Sequence, residues 1–339
     1  MKPRRVDNPP NPWRSDHVEW LGRPPKARLV VYEEEARSIL SENESPDLPF
    51  RFGLNPYRGC FHGCIYCYAR PTHQYLDFGA GSDFEKRLVV KTNAAGRLRD
   101  RLDRKSWAPE TIVFSGVTDC YQPLEASYEI TRACLEVCAN RCNPVGIITK
   151  GALIRRDIDI LGEMADGNGV RGFVSIPFAD DELGRAIEPR ATTISQRFRT
   201  VEVLADAGVD VGVSLAPLIP GLNDSSIPEI LERAAAAGAS RAFMTLLRLP
   251  GPVDEVFEKR LREVRPERAD RVLSAIEELR GGRRNESDFG DRMVGNGPRW
   301  KAMAQLFKQT CNRLGLNLDR DDELNRTGFC RGGQQSLGL

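Results

Sequence analysis

From residue 50 onward, short apolar or β-branched runs alternate with stretches of helical period. The runs are Phe52–Tyr57, Thr111–Gly116, Val145–Thr149, Gly172–Ile176, Asp210–Ala216 and Arg241–Leu246. Each has the length and the branched side chains of a strand. Between them, residues 84–103, 127–141, 155–165, 193–207 and 226–237 repeat apolar positions at helical spacing. Such alternation predicts parallel strands joined by crossover helices, because a parallel connection needs a dozen or more residues. Six units are more than a small open sheet requires and fewer than a closed eight-fold barrel.

The flanks read differently. Residues 1–48 are rich in Pro and charge, with little apolar period before Ala27–Tyr32, where Arg28–Tyr32 is a strand candidate. This segment is expected to wrap as an arm. After the last strand come a charged helix over 256–280, a turn-rich stretch over 281–298, a helix over 299–314 and a polar tail. The tail is expected to fray or to dock as an irregular strap. The expected division is an N-terminal arm (1–48), a barrel domain (49–250) and a C-terminal helical extension with tail (251–339).

Charge removes one class of function from the foreground. Lys and Arg number 49 against 48 Asp and Glu, so no global field gathers polyanions and any nucleic-acid contact would be local. The cluster Arg280, Arg283, Arg284 is the one candidate for such a contact, and Glu286, Asp288 and Asp291 follow at once and weaken its field. No apolar run approaches the ~20 residues that span a bilayer. The start of the chain lacks the apolar stretch of a secretory signal. A cytoplasmic protein without a membrane partner is expected, and there nine cysteines point to metal, redox chemistry or core packing.

The densest chemistry lies just after the first strand, in Asn55-Pro-Tyr-Arg-Gly-Cys60-Phe-His-Gly-Cys64-Ile-Tyr-Cys67-Tyr-Ala-Arg70. Gly59 and Gly63 allow sharp turns that bring the three thiols toward one centre. Thiolates favour zinc and iron–sulfur clusters. A structural zinc site is normally closed by four ligands, and here His62 or His73 would have to supply the fourth. A four-iron cubane held by three thiolates keeps one iron open to an external chelating molecule. A non-catalytic zinc or iron–sulfur protein is the alternative to an enzyme. Cys134, Cys138 and Cys142 also repeat at helical spacing. Along one helix they spread over roughly 12 Å, too far for one compact centre, so core packing is expected for them and for Cys311. Cys330 has no assignment.

The Cys60-x3-Cys64-x2-Cys67 spacing, with Tyr66 before the last cysteine, resembles the signature of the radical SAM superfamily. The wider string resembles the branch related to spore photoproduct lyase, over about residues 50–246. The resemblance implies a partial (βα)6 TIM-type barrel and a 4Fe-4S cluster on Cys60, Cys64 and Cys67. It also implies S-adenosylmethionine (S-adenosyl-L-methionine) bound to the open iron through its amino and carboxylate groups. An electron from a flavodoxin- or ferredoxin-type reductant would split this cosubstrate reductively, giving a 5′-deoxyadenosyl radical that abstracts hydrogen from a substrate not written in the sequence.

Functional groups of a βα barrel gather at the C-terminal ends of its strands. By similarity to the lyase branch, Tyr66, Thr118, Lys150 and Ser175 fall where groups contact the cosubstrate. Lys150 would pair with the carboxylate, and Thr118 and Ser175 would accept from the ammonium. Arg190, in Glu188-Pro189-Arg190, would reach the carboxylate or pair with Glu188. Pro217–Gly221 resembles the adenine-binding turn. Where the lyase has the cysteine implied as hydrogen donor, this chain has Gly116, which puts literal thymine-dimer repair in doubt. Cys120, with Tyr121 as relay, is the substitute thiol candidate, against the alternative that it fills space under its loop.

Overall fold

The computed structural model describes residues 29–167, 169–318, 324 and 327–330. Most of the expected N-terminal arm, including Ala27 and Arg28, and most of the polar tail lie outside the described residues.

The six apolar runs form one parallel sheet. Strands β1 (Val30–Glu34), β2 (Leu40–Glu42), β3 (Phe52–Leu54), β4 (Tyr57–Arg58), β5 (Arg87–Lys91), β6 (Ile112–Phe114), β7 (Val145–Thr149), β8 (Val170–Ser175), β9 (Asp210–Leu218) and β10 (Arg241–Leu246) follow in chain order. The main sheet has the order β10-β9-β8-β7-β6-β3-β2. From β3 to β10 all its pairings are parallel, and β2 is added antiparallel at the β3 edge. β10 and β2 end the order without pairing to each other, so the sheet is open and the fold is the partial (βα)6 arrangement. The parallel strands are largely buried: Ile112, Phe114, Val145, Val170, Val213 and Leu215 are each at most 1% exposed, as expected where helices cover a parallel sheet.

The helices are α1 (Asp83–Lys86), α2 (Ala94–Leu102), α3 (Glu125–Tyr128), α4 (Ile130–Ala139), α5 (Ile158–Asp166), α6 (Asp181–Ile187), α7 (Ile194–Asp206), α8 (Ile227–Ala236), α9 (Val253–Val264), α10 (Pro266–Leu279) and α11 (Gly297–Leu314). On α8 the buried positions are Ile227, Ile230, Leu231 and Ala234, the three-and-four spacing of one apolar stripe.

Three helix expectations need correction. Residues 84–103 are a short helix, strand β5 and then α2, because Leu88-Val-Val is a β-branched run that pairs parallel to β1 and antiparallel to β4 in a small second sheet. The stretch 127–141 breaks at Glu129, whose φ is 51°. The charged helix over 256–280 is two helices, since Pro266 cannot continue a helix but suits a first turn. Among the described residues no helix is long and apolar enough to cross a membrane.

Candidate functional site

Strand β3 leads through β4 into the cysteine loop. Cys60 and Cys64 are buried and Cys67 is partly so. Gly59 and Gly63 have φ of 73° and 68°, and a Cβ there would stand 2.8 Å from the Phe84 carbonyl oxygen and 2.1 Å from Arg190 Nη2, respectively. Both turns therefore need glycine. Among the described residues, no three side chains of His, Cys, Asp or Glu converge to hold one ion.

The loop is held from below by charge. Arg70, wholly buried, donates to the carbonyls of Cys64 (2.7 Å), Ala80 and Gly81. Arg190 donates through Nε to the Phe61 carbonyl at 2.6 Å, and Arg260 donates to that of Gly63 at 3.3 Å. All three guanidiniums meet on the carboxylate of Glu85. Burial pushes the Glu85 pKa up, but Arg70, Arg260 and Arg190 outweigh it and bring it down to about 2.

From the other side the loop after β6 holds the same backbone. Thr118 donates through Oγ1 to the Gly59 carbonyl at 2.6 Å. Gln122 donates to that carbonyl and to Thr118 Oγ1, and its Oε1 accepts from the Phe61 amide at 2.9 Å. Asp119 accepts from Thr149 Oγ1 (2.6 Å) and the Lys150 amide (2.7 Å), tying the ends of β6 and β7 together. His62 lies between Asp119, at 3.5 Å, and Cys60. Burial raises the Cys60 pKa, yet His62 outweighs it and holds the thiol below its ordinary value. His73 is no fourth ligand in this arrangement: its Nε2 is 2.7 Å from the Arg87 carbonyl and its ring packs against Phe78 and Phe84.

A third group forms at the ends of β7 and β8. The Tyr66 hydroxyl and the Arg197 guanidinium both donate to Glu188, and all three side chains are buried. Arg197 also donates to the Ser175 carbonyl at 2.9 Å, while Ser175 Oγ accepts from Ser214 at 3.0 Å. Lys150 holds its ammonium 5.9 Å from the Tyr66 ring centre. Burial lowers the Lys150 pKa, but Glu188 and Cys64 outweigh it and raise it. The segment carrying Glu188 is zipped to the cysteine loop by the Ile65 amide on the Ile187 carbonyl and the Arg190 amide on the His62 carbonyl. The turn at Pro217–Gly221 is held by Asn223, which accepts from the Ile219 amide and donates to the Pro177 and Pro217 carbonyls.

The structure thus brings Thr118, Tyr66 and Lys150 to the cysteine loop, while Ser175 stands one step further off, on Ser214 and Arg197. It corrects two other expectations. Arg190 pairs with Glu85 rather than Glu188, whose carboxylate is already shared by Tyr66 and Arg197. Cys120 is 1% exposed, lies in the main core and donates to the Phe114 carbonyl at 3.5 Å. The tight turn after β6 aims its side chain inward, so it packs as filler. Tyr121, donating to Asp157 at 3.0 Å, is buried with it. Cys134 and Cys138 are wholly buried and Cys311 nearly so, as expected of packing cysteines. Cys142 departs from that expectation: α4 ends at Ala139, and Cys142 lies beyond it, exposed, with φ of 50°. Cys330 comes to lie beside it, its amide donating to the Arg141 carbonyl at 3.0 Å. Of the basic cluster, Arg280 is buried on the carbonyls of Leu247, Asp291, Arg292 and Val294. Arg284 pairs with Glu258 and Glu277, which leaves only Arg283 exposed. Glu85, Arg197, Arg260 and Gln122 were not legible as site residues, since each reaches the loop, or in the case of Arg197 the Glu188 carboxylate beside it, with no local pattern to mark it.

Residues 54–234 match the Radical SAM superfamily. An uncharacterized protein of Mycobacterium tuberculosis is 40% identical over 248 residues, 72% of each chain. An uncharacterized protein of Methanocaldococcus jannaschii is 26% identical over 198 residues, 58% of this chain and 71% of that one. Among solved structures, spore photoproduct lyase complexed with dinucleoside spore photoproduct superimposes with a TM-score of 0.62 at 14% identity, covering 84% of this chain and 80% of that one.

Proposed function

The chain belongs to the radical SAM superfamily, and on that premise we propose that it is a radical enzyme holding a 4Fe-4S cluster on Cys60, Cys64 and Cys67. The observation that carries the proposal is the donor set itself: three thiols on one glycine-turned loop, clamped on both sides, with the Lys150 ammonium facing them and no fourth protein thiol in the loop. When bound, the cluster and S-adenosylmethionine supply a one-electron reductive cleavage to methionine and a 5′-deoxyadenosyl radical that takes hydrogen from a C–H bond.

The chain's own residues bind, orient and shield. Lys150 is the cation for the cosubstrate carboxylate, kept charged and aimed by Glu188. Tyr66 and Arg197 fix Glu188. The hydroxyls of Thr118 and Ser175 already accept from Gln122 and Ser214, so they act chiefly through the loop and the strand ends they brace. Asn223 sets the turn for the adenine edge. A flavodoxin- or ferredoxin-type donor and a cytoplasmic location accord with this chemistry. Gly116 has φ of 124°, a backbone that cysteine rarely adopts, and the thiol next along that loop, Cys120, is buried. Thymine-dimer repair by an internal thiol donor is therefore not part of the reading.

Anaerobically purified protein is expected to carry about four irons with matching sulfide, and after reduction to cleave S-adenosylmethionine slowly even without substrate. One zinc in place of iron would favour the non-catalytic metal protein. Lys150→Ala is expected to weaken cosubstrate binding by about 1.5–3 kcal/mol, the worth of a charge-assisted hydrogen bond. An unchanged dissociation constant in calorimetry would remove Lys150 from the site.

A further inference from the structure

Just past the end of β10 stands a cation to which the reading above gives no part, Arg248. Arg248 projects over the Tyr68 ring, its guanidinium carbon 5.8 Å from the ring centre. Its Nε is buried without a hydrogen-bond partner, and among the described residues no carboxylate is paired with it. The surroundings offer no relief. Burial, then the like charge of Arg292, hold its pKa below the ordinary value. Asp47 is the carboxylate that acts on it, but Asp47 accepts from Arg292 and from the Gly290 amide.

The backbone that carries it is held in place. The Leu247 carbonyl is bound by buried Arg280 at 2.9 Å, and the Leu249 amide donates to Asn285 at 3.1 Å, so the backbone is pinned on both sides. Tyr68 is pinned too, its hydroxyl donating to the Gly116 carbonyl at 2.7 Å while half its surface stays exposed. The ring thus bridges the ends of β6 and β10, with Cys67 and Lys150 close enough to act on its hydroxyl.

Arg248 is only partly buried, so a guanidinium with no counter-ion keeps its outer nitrogens within reach of a ligand, and its planar fork matches a carboxylate or a phosphate. We propose that Arg248 binds an oxyanion carried by the substrate, with the exposed face of Tyr68 as the flat wall beside it. This rests on the reading that the C-terminal ends of the strands hold the reaction, and it adds the substrate class: a molecule bearing a carboxylate or a phosphate near the reacting C–H bond.

Thermal unfolding of the full chain, purified anaerobically with its metal, tests this at constant ionic strength set with chloride. Sodium phosphate and sodium acetate serve as separate probes. The wild-type midpoint should rise saturably with one of them, phosphate pointing to a phosphorylated substrate and acetate to a carboxylated one. In Arg248→Gln the apparent dissociation constant of that anion should weaken at least tenfold. The variant's midpoint in chloride alone should stay near that of wild type, because the partly buried guanidinium makes no hydrogen bond or ion pair among the described residues for the substitution to break. A lower midpoint in chloride, an undiminished anion response, or no wild-type response to either anion overturns the proposal. Iron content is read on the same samples: loss of the anion response in a protein without a cluster keeps the anion site and discards the radical reading, and the reverse pattern does the opposite.

Discussion

Replacing Cys64 by alanine is expected to reduce the iron content of anaerobically purified protein to background and to abolish its brown colour. The backbone around Cys64 does not depend on its sulfur: the carbonyl accepts from Arg70 and from the Cys67 amide, and both bonds survive in alanine. The loss should therefore be chemical rather than architectural. Thiolate is the softest ligand a protein offers iron, and two thiolates leave two irons of a cubane without protein ligands. Cosubstrate cleavage should vanish with the cluster, while the unfolding midpoint of the metal-free variant stays near that of metal-free wild type. Cys134→Ala and Cys138→Ala are the matched controls, because both sulfurs pack in the core on α4. They should lower stability by about 1–2 kcal/mol through lost packing and keep their iron. Full iron content and an unchanged visible spectrum in Cys64→Ala would show that the loop is not the metal site.

The parallel sheet was legible because its strands are short, largely buried apolar runs, and such runs stand out against amphipathic helices. Val145–Thr149 and Arg241–Leu246 appear with the expected bounds. What failed was local: β5 was hidden because Leu88-Val-Val also fits a helical stripe, and only pairing with β1 and β4 decides it. The cysteine loop was legible for a different reason. Its ligand types and turn glycines are contiguous, so the chemistry does not wait for the fold. Lys150, Thr118 and Ser175 were singled out because they stand at strand ends, which the alternation of strands and helices already locates. Arg190 was found with the wrong partner, because the pairing of a buried arginine is set by which carboxylate the fold brings near. Glu85 lies 105 residues from Arg190 and 175 from Arg260 in the chain, and no pattern in the sequence announces that they meet.

Glu85→Ala is expected to destabilise the protein by about 3–5 kcal/mol, the usual cost of removing one partner from a buried ionic group. Arg70, Arg190 and Arg260 would be left facing one another without a counter-charge, directly beneath the carbonyls of Phe61, Gly63 and Cys64. Glu85→Gln keeps the shape and part of the hydrogen bonding but not the charge, so it should fall between alanine and wild type. The pH dependence identifies the cause. The folded carboxylate titrates near 2, against 4.5 for the group in an ordinary setting. Its ionised form thus contributes stability, roughly 3 kcal/mol, that is fully present above about pH 4.5 and lost as pH falls through about 2. Urea unfolding of metal-free wild type should weaken across that window, and the Glu85→Gln curve should be flatter there. Because the same arginines fix the cysteine loop, iron loading of Glu85→Ala should fall even at temperatures where the variant remains folded. Wild-type stability and iron loading in Glu85→Ala would mean that the three arginines hold the loop without their shared carboxylate.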